Sequence, residues 1–268
     1  MADSALAPYV AVLRSRVRSQ TVYRRSFALE VVGSVGVGII DLAELYVLFT
    51  AVDSLGGLRL PAALLVFAMA AFAFGVADMV IGHVDRTPMY IRTGVLDALL
   101  LRPMPVLAQL ATSDLQLRRL GRIGVATIAL AVAVHLTDLS PDPATIAMVA
   151  VTLISGSVIF GALFVCAAAL QFWLVDAAEV VNSFTYGANY VSSYSGALLT
   201  LPMRAFVTFV IPAMFVAYLP TLALLGLPGP AGTPAWLGYL SPIAAVAACC
   251  MAGLLWRLGL RHYTGTGS

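Results

Sequence analysis

The strongest constraint on this chain is a series of long apolar runs with almost no charge in them. Residues 60–82 read LPAALLVFAMAAFAFGVADMVIG, with Asp78 as the single charged side chain. Comparable runs cover about 27–51, 117–137, 145–174 and 235–257, and a more polar one begins near 177. About 20 apolar residues in a helix cross the ~30 Å hydrocarbon core of a bilayer. Only 10% of the 268 residues are charged and 61% are hydrophobic, whereas a soluble domain carries about a quarter charged residues. The chain reads as an all-α membrane protein, one domain over residues 1–268 with no interdomain linker or internal repeat.

Charge placement predicts the topology. All fifteen basic residues are arginine, which points to a GC-rich bacterial genome. Cytoplasmic loops collect arginine. Arg14, Arg16, Arg18, Arg24 and Arg25 precede the first span, and Arg86, Arg92, Arg102, Arg118, Arg119 and Arg122 lie between the second and third. Arg257 and Arg261 follow the last. All of these share one side when both termini are cytoplasmic, leaving Arg59 and Arg204 outside. That arrangement needs an even number of crossings. The stretch 201–226 would make seven, but Pro202, Pro212 and Pro220 interrupt its helix hydrogen bonding. We expect it to be a re-entrant hairpin of two short helices in the outer leaflet, tolerated where protein or a water-filled cavity surrounds it. A seventh, kinked span is the rival. The expected fold thus has six transmembrane helices.

Three further local features are legible. Residues 5–22 place Leu6, Val10, Leu13 and Val17 at helical spacing beside Arg14, Arg16 and Arg18, the pattern of an amphipathic helix on an anionic leaflet. Asp53 with Gly56 and Gly57 predicts a short turn. Asp142 before Pro143 predicts a capped helix start.

Several function classes are excluded. Without lysine the chain has no phosphate-binding loop of the Walker A type, so any ATP that drives it, with its magnesium, is bound by another polypeptide. Cys166, Cys249 and Cys250 lie in apolar runs and fit no disulfide or metal pattern. His83, His135 and His262 are scattered. We expect no catalytic, metal or cofactor-binding residue, no enzyme activity and no nucleic-acid partner.

Polar residues inside the spans are the candidates for function. The run NSFTYGANYVSSYSG, 182–196, carries no charge but three tyrosines, two asparagines and four serines. On a helix Tyr186, Tyr190 and Tyr194 share one face, with Asn182, Asn189 and Ser193 close to it. Polar side chains in a span face protein or water rather than lipid. The run therefore marks helix packing within one subunit, or a subunit interface or pathway wall. Asp41 and Glu44 lie a turn apart, roughly mid-membrane, where a charge costs several kcal/mol unless it is paired, protonated or hydrated. They are either structurally hydrogen-bonded or pathway-lining. Ser34 and Gly38 suit close helix packing. Asp78, Asp176 and Glu179 read as interfacial. A secondary transporter with ion or proton sites at Asp41, Glu44 or Asp78 remains an alternative, weakened by the lack of an inverted repeat.

Residues 89–106 form a short amphipathic segment, with Ile91, Val95, Leu96, Leu99 and Leu100 apolar and Pro103 as its stop. Within it, Gly94, Asp97, Leu100, Leu101, Arg102 and Pro103 resemble the G-x-x-D-x-x-L-L-R-P pattern, with one leucine added, of permease subunits of bacterial ABC exporters of the second permease class. FVIPAMFVAYLP at 209–220 resembles that family's outer-face segment, and the tail WRLGLRHYTGTGS its closing L-x-x-Y-x-x-x-G-S, with Gly265 or Thr266 where serine is usual. The resemblance implies a multi-pass half-transporter of the bacterial inner membrane that pairs with itself or a paralogue and with two ATP-binding cassette subunits. It implies a coupling helix at 90–102 facing the ATPase through Tyr90, Arg92, Asp97, Leu99, Arg102 and Pro103, and places the 5–22 helix beside the ATPase too. It also implies an outer gate around Pro202, Pro212, Phe215 and Pro220, and a dimer or pathway surface on spans 1, 2 and 5.

Overall fold

The computed structural model describes Ser15, Arg18 and residues 24–174, 178–230 and 233–264. Ser15 and Arg18 are helical, but the rest of the expected 5–22 helix lies outside the described residues, as do Asp176, Gly265 and Thr266. In order come α1 (Arg24–Ala51), α2 (Leu60–Ile81), α3 (Thr87–Arg92), α4 (Val95–Leu100), α5 (Val106–Ser113), α6 (Leu120–Leu136), α7 (Pro143–Leu170), α8 (Ala178–Ser192), α9 (Leu201–Phe209), α10 (Tyr218–Leu225) and α11 (Ser241–His262), with 3-10 turns between several. No strand forms among the described residues; Leu55 and Leu58 make one isolated bridge. That bridge closes the α1–α2 turn at Gly56 and Gly57, whose φ angles of 55° and 80° are open to glycine at little cost.

Among the described residues, five helices are long and apolar enough to cross a membrane: α1, α2, α6, α7 and α11, the count rising to six if the bent pair at 201–225 is one span. Asp142 caps α7 as expected, its Oδ1 accepting from the Thr145 N–H at 2.7 Å. The expected fifth crossing is described only from Ala178 onward, because residues 175–177 lie outside the described residues. From there α8 has 15 residues, about 22 Å at the α-helical rise, against ~30 Å of hydrocarbon. Its end is set by serine chemistry: the Ser192 and Ser193 hydroxyls both return to the Asn189 carbonyl, and Ser195 accepts from the Ala197 N–H. Such local side-chain bonds compete with helix continuation. The segment 201–225 is broken as the prolines predict: Leu201–Phe209 and Ala213–Leu225 meet at a 73° bend next to Pro212.

The packing order follows burial. α2 lies between α6 and α7, α1 leans on α6, α11 runs along α7, and α8 rests on α7 and α2. In the most apolar window of α2, 72% is buried, against 11% for α1, so α2 is the axis of the subunit and α1 its outer wall. Phe74 of α2 meets Phe160 and Phe164 of α7 at ring separations of 5.2 and 5.7 Å. Ser34 and Gly38 of α1 do face α6: the Ser34 hydroxyl accepts from the Arg122 N–H at 3.1 Å, and Gly38 lies against Val125. Gly121 completes this contact, since a Cβ there would stand 2.5 Å from the Val31 carbonyl oxygen.

Residues 90–102 are not one helix. Gly94, at φ 70°, separates α3 from α4, and the chain leaves helix at Leu101. Around it, the Gln116 N–H bonds the Met79 carbonyl of α2 at 3.0 Å, His83 lies against the Leu110 carbonyl of α5, and the Thr87 hydroxyl at the start of α3 donates to the Val84 carbonyl at 2.6 Å.

Candidate functional site

The polar face of α8 is built around hydroxyls aimed at carboxylates. The Tyr186 hydroxyl donates to Asp85 Oδ2 at 3.2 Å. Asn182 donates to the Asp85 carbonyl at 3.4 Å and accepts from Gln171 Nε2 at 2.8 Å. Higher on the same face, the Tyr190 and Tyr194 hydroxyls converge on a single oxygen, Glu44 Oε1 of α1, at 3.0 and 3.1 Å, with ring centroids 5.0 Å apart. Tyr194 lies past the end of α8 yet keeps the direction its spacing predicts. Asn189 and Ser193 do different work. Ser193 is buried and bonds the Asn189 backbone, while the Asn189 side-chain oxygen is buried with no hydrogen-bond partner among the described residues.

Ion pairs neutralise Asp41 of α1 and Asp78 of α2. Arg122 on α6 reaches Asp41 at 2.6 Å and sits 5.6 Å from the Phe74 ring centre. Arg119 reaches Asp78 at 2.7 Å, and the Asp78 side chain is only 3% exposed. Asp78 is thus buried and paired. Asp41 and Glu44, a turn apart, diverge: one turns to α6 and the other to the tyrosines of α8. Spacing alone did not single out Asp85, Arg119, Arg122 or Gln171. The two arginines read as ordinary inner-face charges, and pairing across 81 residues, as between Asp41 and Arg122, leaves no one-dimensional trace.

At the other predicted sites the residues separate into two groups. Tyr90 of α3, Leu99 of α4 and Arg102 line one cleft of about 580 Å³, which also includes Asp114. Gln109 holds the back of that cleft by donating to the Leu99 and Met104 carbonyls at 3.0 and 2.8 Å. Arg92 and Pro103 are exposed at its edges. Asp97 is drawn elsewhere: its Oδ1 accepts from the Tyr263 hydroxyl at 2.9 Å.

Of the residues expected at an outer gate, Pro202 is exposed at the start of α9, Pro212 is half-buried at the bend, and Phe215 and Pro220 are buried. The Phe215 carbonyl accepts from the Ser241 hydroxyl at 2.8 Å. Arg204 closes the turn before α9 by donating to the Gly196 and Leu199 carbonyls at 3.0 and 2.9 Å. A cavity of about 230 Å³ lies between α9, α10 and the side chains of Pro230, Thr233, Pro234 and Leu237.

No curated protein and no solved structure matches the chain. The sequence model of one family, described as ABC-2 family transporter protein, matches residues 35–267, from within α1 to the tail. That match covers the paired acids, the α3–α4 segment, the tyrosine face and the proline bend together. The chain belongs to the ABC-2 family of transporter proteins, as a multi-pass membrane protein of the ABC permease type.

Proposed function

We propose that this chain is the permease subunit of an ATP-driven exporter in the bacterial inner membrane. It forms a translocation pathway with a second permease, itself or a paralogue, and ATP and magnesium are bound by separate cassette subunits. The observation that carries this reading is the tyrosine row at Tyr186 and Tyr190 of α8 and Tyr194 just beyond it, whose three hydroxyls bond acids at 44 and 85. Tyr190 is 58% exposed and Tyr186 40%, so this polar face is left uncovered by its own subunit. A polar, uncovered face at membrane depth requires water or protein against it, and a second permease with an aqueous path between them supplies both.

The remaining assignments follow from that frame. Both termini are cytoplasmic. The α3–α4 segment, with Tyr90, Arg92, Asp97, Leu99, Arg102 and Pro103, meets the ATPase, with the 5–22 helix beside it. The bent 201–225 pair is re-entrant and gates the outer side through Pro202, Pro212, Phe215 and Pro220. Tyr186, Tyr190, Tyr194, Asn182 and Glu44 face the pathway. Of the acids at 41, 44 and 78 that an ion-coupled transporter would use, Asp41 and Asp78 each already have an arginine within 2.7 Å, which disfavours them, while Glu44 accepts from Tyr190 and Tyr194.

The test is co-purification. The tagged chain, expressed with its genomic neighbours and gently solubilised, retains a stoichiometric ATP-binding subunit whose hydrolysis depends on the chain. A chain that purifies alone and carries gradient-driven flux refutes the proposal.

A further inference from the structure

The cytoplasmic ends of α7 and α11 form one block. Gly259 has no side chain, and a Cβ there would stand 2.5 Å from the Phe172 ring, so α11 closes directly onto that ring. Phe172 then meets Trp256 at 5.4 Å and Tyr263 at 6.0 Å between ring centres, and Trp173 stacks on His262 at 5.4 Å. Aromatic pairs at these separations add to area burial and have defined geometry. Tyr263 follows directly after α11, its N–H bonded to the Gly259 carbonyl at 3.1 Å. From this anchored position its hydroxyl crosses to Asp97 in the first turn of α4. A neutral donor on a carboxylate makes a charge-assisted bond, stronger than one between two neutral groups.

We infer that Tyr263 is a positioning residue: its phenol ties α4 to the α7–α11 block. A push on α4 from a partner subunit is thereby passed through Asp97 to those two helices. The inference rests on the proposed contact between the α3–α4 segment and an ATPase. Its geometric part stands on the chain alone. α4 is a single short helix set off by the left-handed Gly94. It tilts on that residue when its far side is released, and the Asp97–Tyr263 bond is a tether on that side.

Two measurements separate the tether from the function. The first is amide hydrogen exchange on the purified chain. Tyr263→Phe keeps the ring and loses the donor, and exchange across 95–100 rises roughly tenfold, the loss of one hydrogen bond to a charged group. Exchange across 241–258 stays as in wild type. Adding Tyr263→Phe to Asp97→Leu changes nothing further. Unchanged exchange at 95–100 in Tyr263→Phe overturns the tether, whether or not any ATPase binds.

The second measurement traps the assembled complex with ATP and vanadate. In wild type, exchange changes in both 95–100 and 255–262. In Tyr263→Phe it changes in 95–100 alone. An equal response of 255–262 in the variant overturns the transmission role. If no ATPase subunit assembles, the proposed function fails, while the first measurement still decides the tether.

Discussion

The Arg122 guanidinium lies 2.6 Å from the Asp41 carboxylate, with the Phe74 ring centre 5.6 Å from its carbon. This contact joins α1, the least covered of the long described helices, to the core, and it pairs an acid of α1 with a base of α6. Removing one partner leaves the other charge uncompensated. Arg122→Met is expected to lower stability by about 2 kcal/mol, read as thermal unfolding in detergent. The double variant Arg122→Met/Asp41→Leu should recover a large part of that loss.

The α1–α6 contact makes a position-specific prediction for two glycines on α6. Gly121→Ala drives a Cβ to 2.5 Å from the Val31 carbonyl oxygen and 2.9 Å from Val35, whereas a Cβ at Gly124 meets nothing within 4 Å. Gly121→Ala should cost about 1–3 kcal/mol through overpacking. Gly124→Ala should be neutral or stabilise by up to about 1 kcal/mol, because alanine loses less entropy in a helix. Melting curves of the two variants side by side decide the matter.

Which parts of this were legible in the sequence follows from range. The five long helices and the Asp142 cap depend on local hydropathy and on a side chain bonding three residues ahead, and both are visible in one dimension. The break at Gly94 was hidden because the apolar periodicity of 89–106 continues across it, and a single φ of 70° interrupts what the pattern joins. The end of α8 was equally hidden: the three tyrosines keep helical spacing through Tyr194, but the serines end the helix at Ser192. The tyrosine face was predicted and its partners were not, since Glu44 lies 146 residues from Tyr190 and Asp85 101 from Tyr186. The tail and the α4 motif were noticed separately, and only the fold brings Tyr263 to Asp97.

The shared acceptor at Glu44 predicts redundancy. Tyr190→Phe or Tyr194→Phe removes one of two donors to the same oxygen and should cost about 0.5–1.5 kcal/mol. The double variant leaves Glu44 without either phenol, and its cost should exceed the sum of the singles. Chain-dependent ATP hydrolysis should show the same order, near wild type in each single variant and reduced in the double. Strictly additive losses would show that the two hydroxyls act independently.

Gly94→Ala should strain the left-handed position by about 1–2 kcal/mol and shift α4 against the cleft at Tyr90, Leu99 and Arg102. Arg102→Ala leaves the backbone unstrained and is expected to uncouple the complex. ATP hydrolysis should continue in Arg102→Ala, but no longer respond to the permease. Normal permease-dependent stimulation in both variants would count against the α3–α4 segment as the coupling element.

At the start of α7, the hydrogen bond from Thr145 holds the Asp142 carboxyl below its usual range. A carboxylate depressed in the folded state contributes stability above its unfolded pKa and loses it as the pH falls through the folded one. The cap should therefore be intact at neutral pH and fade under acid. Asp142→Asn, which keeps the acceptor oxygen but does not titrate, should flatten that part of the pH–stability curve.

In the function proposed above, a separate ATPase drives this chain from its cytoplasmic side through the α3–α4 segment. Site-specific photo-crosslinking in living cells tests it most directly, with the reactive side chain placed at Leu101, which is 87% exposed. The account predicts a single major adduct to an ATP-binding cassette subunit, absent when the same probe replaces Leu198 beside the outer turn. An adduct to no ATP-binding protein from Leu101, or an ATPase adduct from Leu198, would contradict it.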